Sequence, residues 1–188
     1  MKKILIISYY WPPAGGSGVQ RWLKFVKYFR KFGYEPIVYT PENPEYMAQD
    51  PGLLSEIPSG TTIIRKKILE PYNLYKILTG KRGESIKPGF IAREAKGGKG
   101  KFTEKLSLFI RSNVFIPDPK CFWIRPSIRF LNRYLAENPV DAIISTGPPH
   151  SMHMIAKAVA KRRNIRWIAD FRDPWTKMYT FKYMNNTF

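Results

Sequence analysis

A run of small residues, Gly15-Gly16-Ser17-Gly18, separates an apolar stretch from a segment with helical spacing. Backbone N–H groups at such a helix start attract phosphate, and the missing side chains let the ligand approach closely. A turn that merely needs glycine is the competing reading. The bend is a poor dinucleotide fingerprint, because Arg21 stands where the third glycine of G-x-G-x-x-G belongs and the second strand ends in Thr40 rather than an acid. It is a poor Walker loop too, since no Gly-Lys-Ser/Thr follows it. A second group with chemical potential is Asp170, Arg172 and Asp173, at the end of an apolar run. Charges placed there cost desolvation unless they are paired. Strand alternation sends Asp170 and Arg172 to one side and Phe171 and Asp173 to the other. Arg172 keeps its proton, so it suits electrostatic positioning and not base catalysis. His150 suits a phosphate or a hydroxyl, or else opens a helix with its ring in solvent. His153 lies three residues on and shares its face, but two imidazoles without a third ligand argue poorly for a metal. Asp118, flanked by Pro117 and Pro119, either accepts a hydroxyl of a bound ligand or starts a turn.

The elements that must position these groups alternate. KKILIIS at residues 2–8 reads as a strand buried on both faces of a parallel sheet. After the loop YYWPPAGGSG, the residues Val19, Trp22, Leu23, Val26 and Phe29 share one helical face, and Gly33 closes that helix. Residues 35–40 (EPIVYT) and 61–68 read as the second and third strands. Residues 69–100 are rich in turn formers, and KRGESIKPG and AKGGKGK read as loops. Helical spacing returns at 101–116 and 122–135. DAIIST at 141–146 is a fourth strand, 149–163 a helix, and RWIADF at 166–171 a fifth strand. The expected fold is α/β, a Rossmann-like doubly wound parallel sheet of order 3-2-1-4-5. Both candidate clusters then sit at carboxyl ends of strands, where ligand clefts of open α/β sheets form.

The chain has 188 residues and a net charge of +18, which calls for an anionic partner without choosing among nucleic acid, anionic lipid and phosphorylated substrates. Cys121 is the only cysteine, so no intramolecular disulfide forms. No apolar run approaches the roughly 20 residues that span a bilayer. Fourteen Lys and Arg but only four acids fall between residues 76 and 133, with Phe90, Phe102, Phe109, Phe115, Phe122 and Trp123 among them. A basic, aromatic-bearing helical insertion at about 69–138 suits an anionic membrane surface; an ordinary solvated basic face is the alternative. Nucleic acid is disfavoured, because neither a helix-turn-helix nor zinc-finger spacing nor an RNP-type aromatic motif is visible.

Two long segments carry a family likeness. ILIISYYWPPAGGSGVQRWLKFVKYFRKFGYEPIVYT resembles the start of retaining family-4 glycosyltransferases of the GT-B fold: a strand, a Pro-rich segment, Gly-Gly, then a helix reading V-x-R, here Val19-Gln20-Arg21. DAIISTGPPHSMHMIAKAVAKRRNIRWIADFRDPWT resembles the fourth and fifth strands of the same N-terminal domain. The resemblance implies that Gly15, Gly16, Ser17, Gly18 and Arg21 face the diphosphate of a nucleotide-sugar donor. It also implies that the end of the first strand, with Tyr9, Tyr10 and Trp11, borders the acceptor; Asp118 and His150, on their own chemistry, are further candidates for acceptor contact. Asp173 and Arg172 would stand beside the reacting sugar. Many relatives carry His-Asp in that loop, and Arg172 at the His position removes a histidine-based role.

The implied activity is transfer of a sugar from a nucleotide-sugar to a saccharide or lipid-linked acceptor in cell-surface polysaccharide or lipopolysaccharide assembly. The nucleotide-sugar is a substrate, with no cofactor and no metal expected. The implied location is cytoplasmic, peripheral on the inner face of the cell membrane. Residues 1–176 are expected to form the acceptor-side domain and 177–188 to open an interdomain segment. The family's C-terminal donor-binding domain is absent from these residues, so the chain alone is expected to be inactive. The alternative function is a noncatalytic Rossmann-like module that binds anionic lipid or phosphorylated ligands.

Overall fold

A computed structural model describes residues 1–44, 48–68 and 116–173. The apolar runs form β1 (Lys2–Ile7), β2 (Tyr34–Pro41), β3 (Thr62–Lys66), β4 (Ala142–Gly147) and β5 (Arg166–Phe171). They pair in one parallel sheet of order β3-β2-β1-β4-β5. The protein is thus an α/β domain of Rossmann-like type. Because side chains alternate along a strand, β1 supplies both faces. Ile4 and Ile6 pack toward α1 (Ser17–Phe29) with Val19, Trp22, Leu23 and Val26. Leu5 and Ile7 pack toward the opposite layer, formed by α2 (Ile124–Glu137) and α3 (Ser151–Arg163), with Leu131, Leu135, Ile155 and Val159. Each such fully buried aliphatic side chain contributes ~1.5–3 kcal/mol.

The helix ends follow local chemistry. After α1 a short 3-10 turn, Arg30–Phe32, stops at Gly33, whose φ of 80° an L side chain rarely adopts. Asn164 closes α3 in the left-handed region, with φ 54°. One expectation needs correction. Residues 124–137 are no appendage to the sheet: α2 is the crossover between β3 and β4, and its Leu131 and Leu135 lie in the core. The basic insertion therefore cannot extend to 138. Its remaining part, 69–115, with the expected helix at 101–116, the two Gly-rich loops and most of the predicted membrane-facing surface, lies outside the described residues, as do 174–188. Among the described residues, no helix is long and apolar enough to cross a membrane.

Candidate functional site

The bend that follows β1 lies open. Gly16 is the N-cap of α1 with φ 105°, a conformation that favours glycine, and no side chain caps the helix. Gly16 and Ser17 are exposed, and the first turn holds no acid. Val19 and Gln20 N–H both bond back to the Gly16 carbonyl, at 3.2 and 3.3 Å. The Pro-rich approach is braced from behind: Gly15 N–H donates to Ala48 O at 3.0 Å and Asp50 N–H to Pro13 O at 2.8 Å. The bend thus leaves the uncapped start of α1, the positive end of the helix dipole, at the surface.

The tips of β4 and β5 face it, although Gly18 and Arg172 stand 154 positions apart in sequence. The Arg172 guanidinium lies against Gly18, so closely that a Cβ at position 18 would land on it. Its Nε donates to Gly147 O at 3.1 Å and its Nη2 to Pro148 O at 2.8 Å. These bonds aim the planar cation at the α1 N-terminus and fix it between the two loops. Asp170 lies one step inward on the same side of β5. It accepts from Trp22 Nε1 at 2.9 Å and from Thr146 Oγ1 at 3.0 Å, and it pairs with Arg21 at 3.3 Å. The alternation read from sequence therefore holds for Asp170 and Arg172, and Phe171 projects to the other face. Asp173 is exposed beside them.

That other face holds two histidines. His150 and His153 are 4% and 3% exposed, and the Phe171 ring covers both, at 5.8 and 4.1 Å between centroids. His153 Nδ1 lies 2.8 Å from Ser145 Oγ, which accepts from Trp167 Nε1–H at 2.8 Å. Burial, with His150 beside it, lowers the His153 pKa to about 4, so the ring is neutral at pH 7. Burial likewise lowers that of His150, helped by Arg172 and opposed by Asp118 and Asp173. Among the described residues, no group of three or more His, Cys, Asp or Glu is placed to hold a metal ion.

Three expected site residues need restating. Trp11 is fully buried, packed in the α1-side core, and so cannot border an acceptor; Tyr9 is 1% exposed, and Tyr10 alone of that trio is partly open. The Trp11 ring lies in the cluster formed with Ile4, Ile6, Ala14, Val19 and Leu23. Asp118 takes its structural alternative. Its carboxylate accepts Ser151 N–H at 2.7 Å, Ser151 Oγ–H at 2.8 Å and Lys120 N–H at 2.8 Å, capping α3 from a distant loop. His150 is wedged under Phe171 and does not face solvent. The residues brought together are Gly16, Ser17, Gly18, Arg21 and Arg172, with Asp173 at the rim. Asp170 and Thr146 hold that group in place; Asp170 was singled out with Arg172 and Asp173 in the sequence, while Thr146 was not. A charged residue inside an apolar run was the available signal for Asp170.

No protein-family profile matches this chain. No curated protein sequence matches it either. Among solved structures, two fragments of the C-terminal domain of a hydrogenase from Pyrococcus furiosus are similar. One is 13% identical with a TM-score of 0.43, covering 89% of this chain and 90% of that one. The other is 12% identical with a TM-score of 0.44, covering 90% of each. Neither similarity bears on the chemistry of the cleft.

Proposed function

We propose that this chain is the acceptor-side domain of a glycosyltransferase, moving a sugar from a nucleotide-sugar to a saccharide or lipid-linked acceptor in cell-surface polysaccharide or lipopolysaccharide assembly. The observation that carries the reading is the open, uncapped, glycine-built start of α1 with the Arg172 guanidinium laid against it. In glycosyl transfer the leaving group is a nucleoside diphosphate, so negative charge builds on phosphate oxygen. A helix N-terminus and a fixed cation stabilise that charge without a proton transfer at the phosphate. Arg172 is then an electrostatic group, Arg21 a second cation half-held by Asp170, and Asp173 the exposed carboxylate nearest the reacting sugar. The strong positive charge of the chain fits acceptors gathered at an anionic membrane surface.

The test is titration of the 188-residue chain with a panel of nucleotide-sugars and, separately, with inorganic pyrophosphate, followed by intrinsic tryptophan fluorescence and by calorimetry. At least one nucleotide-sugar should bind saturably and more tightly than pyrophosphate. If pyrophosphate binds as well as every donor, the noncatalytic module for phosphorylated ligands replaces the proposal. If nothing in the panel binds, the donor assignment of the bend is wrong.

A further inference from the structure

A second concavity opens on the same edge of the sheet, at the carboxyl ends of β2 and β3. It is a hollow of about 440 Å³, lined by Arg65, Lys66, Lys67 and Glu42 and by the aromatic side chains Tyr39, Trp123 and Phe130. Its charge is unbalanced. Three basic side chains line it against one acid, while the ion pairs among the described residues, Arg21 with Asp170, Lys24 with Glu56 and Arg30 with Glu35, lie elsewhere. None of Arg65, Lys66 and Lys67 forms such a pair with a described residue, although Glu42 shares the lining. The aromatic wall is ordered. Tyr39 stacks on Trp123 at 5.3 Å and on Phe130 at 5.9 Å, and its hydroxyl donates to Ser127 Oγ at 2.8 Å. The Lys66 ammonium sits 4.4 Å from the Phe130 ring centroid, which places the cation at the boundary between apolar wall and open space. The helix α2 runs on from a 3-10 turn, Cys121–Trp123, which sets Trp123 and Pro126 in the wall of the hollow.

We infer that this hollow is an anion site separate from the α1 bend, taking the phosphate of a ligand whose sugar ring or isoprenyl chain lies on the Phe130 and Pro126 wall. Three cations supply the phosphate contacts, and the wall supplies an apolar face for the rest of the molecule. Glu42 at the rim opposes the anion and offers an acceptor for a ligand hydroxyl. One bond links the two sites: Arg65 Nη2 donates to Pro12 O, at 3.4 Å, in the loop leading to the bend. If the glycosyltransferase reading holds, the occupant of this hollow is the acceptor, and the inference rests on that reading for the role alone. Binding itself is independent of it.

The experiment uses the full 188-residue chain and two probes, glucose 1-phosphate and farnesyl diphosphate, with affinity measured by calorimetry at two salt concentrations. At least one probe should bind saturably. The exposed pair Lys66→Gln/Lys67→Gln should weaken it about tenfold or more and flatten the salt dependence, while Glu42→Gln tightens it a few-fold. Gly18→Val should leave it unchanged, since that substitution acts at the other site. Preference for farnesyl diphosphate supports a lipid-borne phosphate, and preference for glucose 1-phosphate supports a phosphorylated saccharide. The assignment is overturned if neither probe binds at millimolar concentration, if the double variant binds as the parent does, or if Gly18→Val abolishes binding. Unchanged thermal melts of the lysine and Glu42 variants exclude misfolding as the cause. Nucleotide-sugar binding to the lysine variant separates the two readings. Its survival there, with probe binding lost, supports two sites; its loss together with the probe places both anions in one site and overturns the inference.

Discussion

Two helices start at the crevice between β1 and β4, each after a loop that passes through Pro-Pro, and they end up as opposites. The start of α1 is built from glycine and serine, is exposed, and has no acid in its first turn. The start of α3 is closed: Asp118 reaches in from a separate loop to accept Ser151 N–H, and His150, His153 and Phe171 fill the space above it. A helix N-terminus attracts anions wherever it occurs, so what distinguishes the two is occupancy. The protein supplies its own carboxylate to α3 and withholds one from α1. At this crevice the α1 start is thus the positive pole left without a carboxylate, and Arg172 lies against it.

The comparison can be broken most severely with acid. His153 is neutral in the folded protein down to about pH 4, whereas an unfolded chain protonates near 6.5. Between those values the unfolded state binds the extra proton, so stability falls as pH drops, by about 3 kcal/mol in total. His150 is shifted in the same direction and adds to the loss. Urea unfolding at pH 7 and pH 4.5 measures it. His153→Phe should flatten the slope, and an unaltered slope in that variant would mean the ring is not buried as described.

Next in size is Gly147→Val. Even the first carbon of the new side chain would lie 2.7 Å from His153 Nε2 and 3.0 Å from His150 Nδ1. The expected destabilisation is about 2–3 kcal/mol by chemical denaturation. A neutral outcome would show that the closed pole has slack. Asp118→Ala should follow at about 2 kcal/mol, because it strands the Ser151 amide and hydroxyl together. The same variant sharpens the contrast, since an emptied α3 start becomes a second pole and phosphate affinity should not fall. Smallest is Gly18→Val, which displaces the Arg172 guanidinium. Nucleotide-sugar affinity should drop about tenfold, or ~1.4 kcal/mol, with little change in unfolding midpoint. Equal affinity in parent and variant would remove the bend from the donor site.

The order of the sheet was readable from residues 2–8, 35–40, 61–68, 141–146 and 166–171 because each is a short apolar run between turn formers, and right-handed crossovers leave few ways to lay them out. The open bend was readable too, since glycine at a helix start is a local signal. What stayed hidden depended on partners far away in sequence. Asp118 could be read as a turn or as a ligand until its contact with Ser151, 33 residues on, was known. Trp11 looked like a rim residue because nothing near it in sequence announces that its ring joins the core beside α1. His150 and His153 stand beside Met152 and Ile155, and this apolar company was the clue that their rings point inward. The limit of the basic insertion was misplaced for a similar reason: Arg125, Arg129 and Arg133 give α2 a charged outer face that masks the Leu131 and Leu135 side buried against the sheet.

Asp170 has one further consequence. By gripping Trp22, Arg21 and Thr146 at once, it rivets the first helix to the last two strands. Backbone ordering costs ~1–2 kcal/mol per residue, and here it is settled when the domain folds instead of when a ligand arrives. The bend is carried as part of the sheet's frame, not hung from it as a flap, so under the proposed function the donor's diphosphate finds its seat already set.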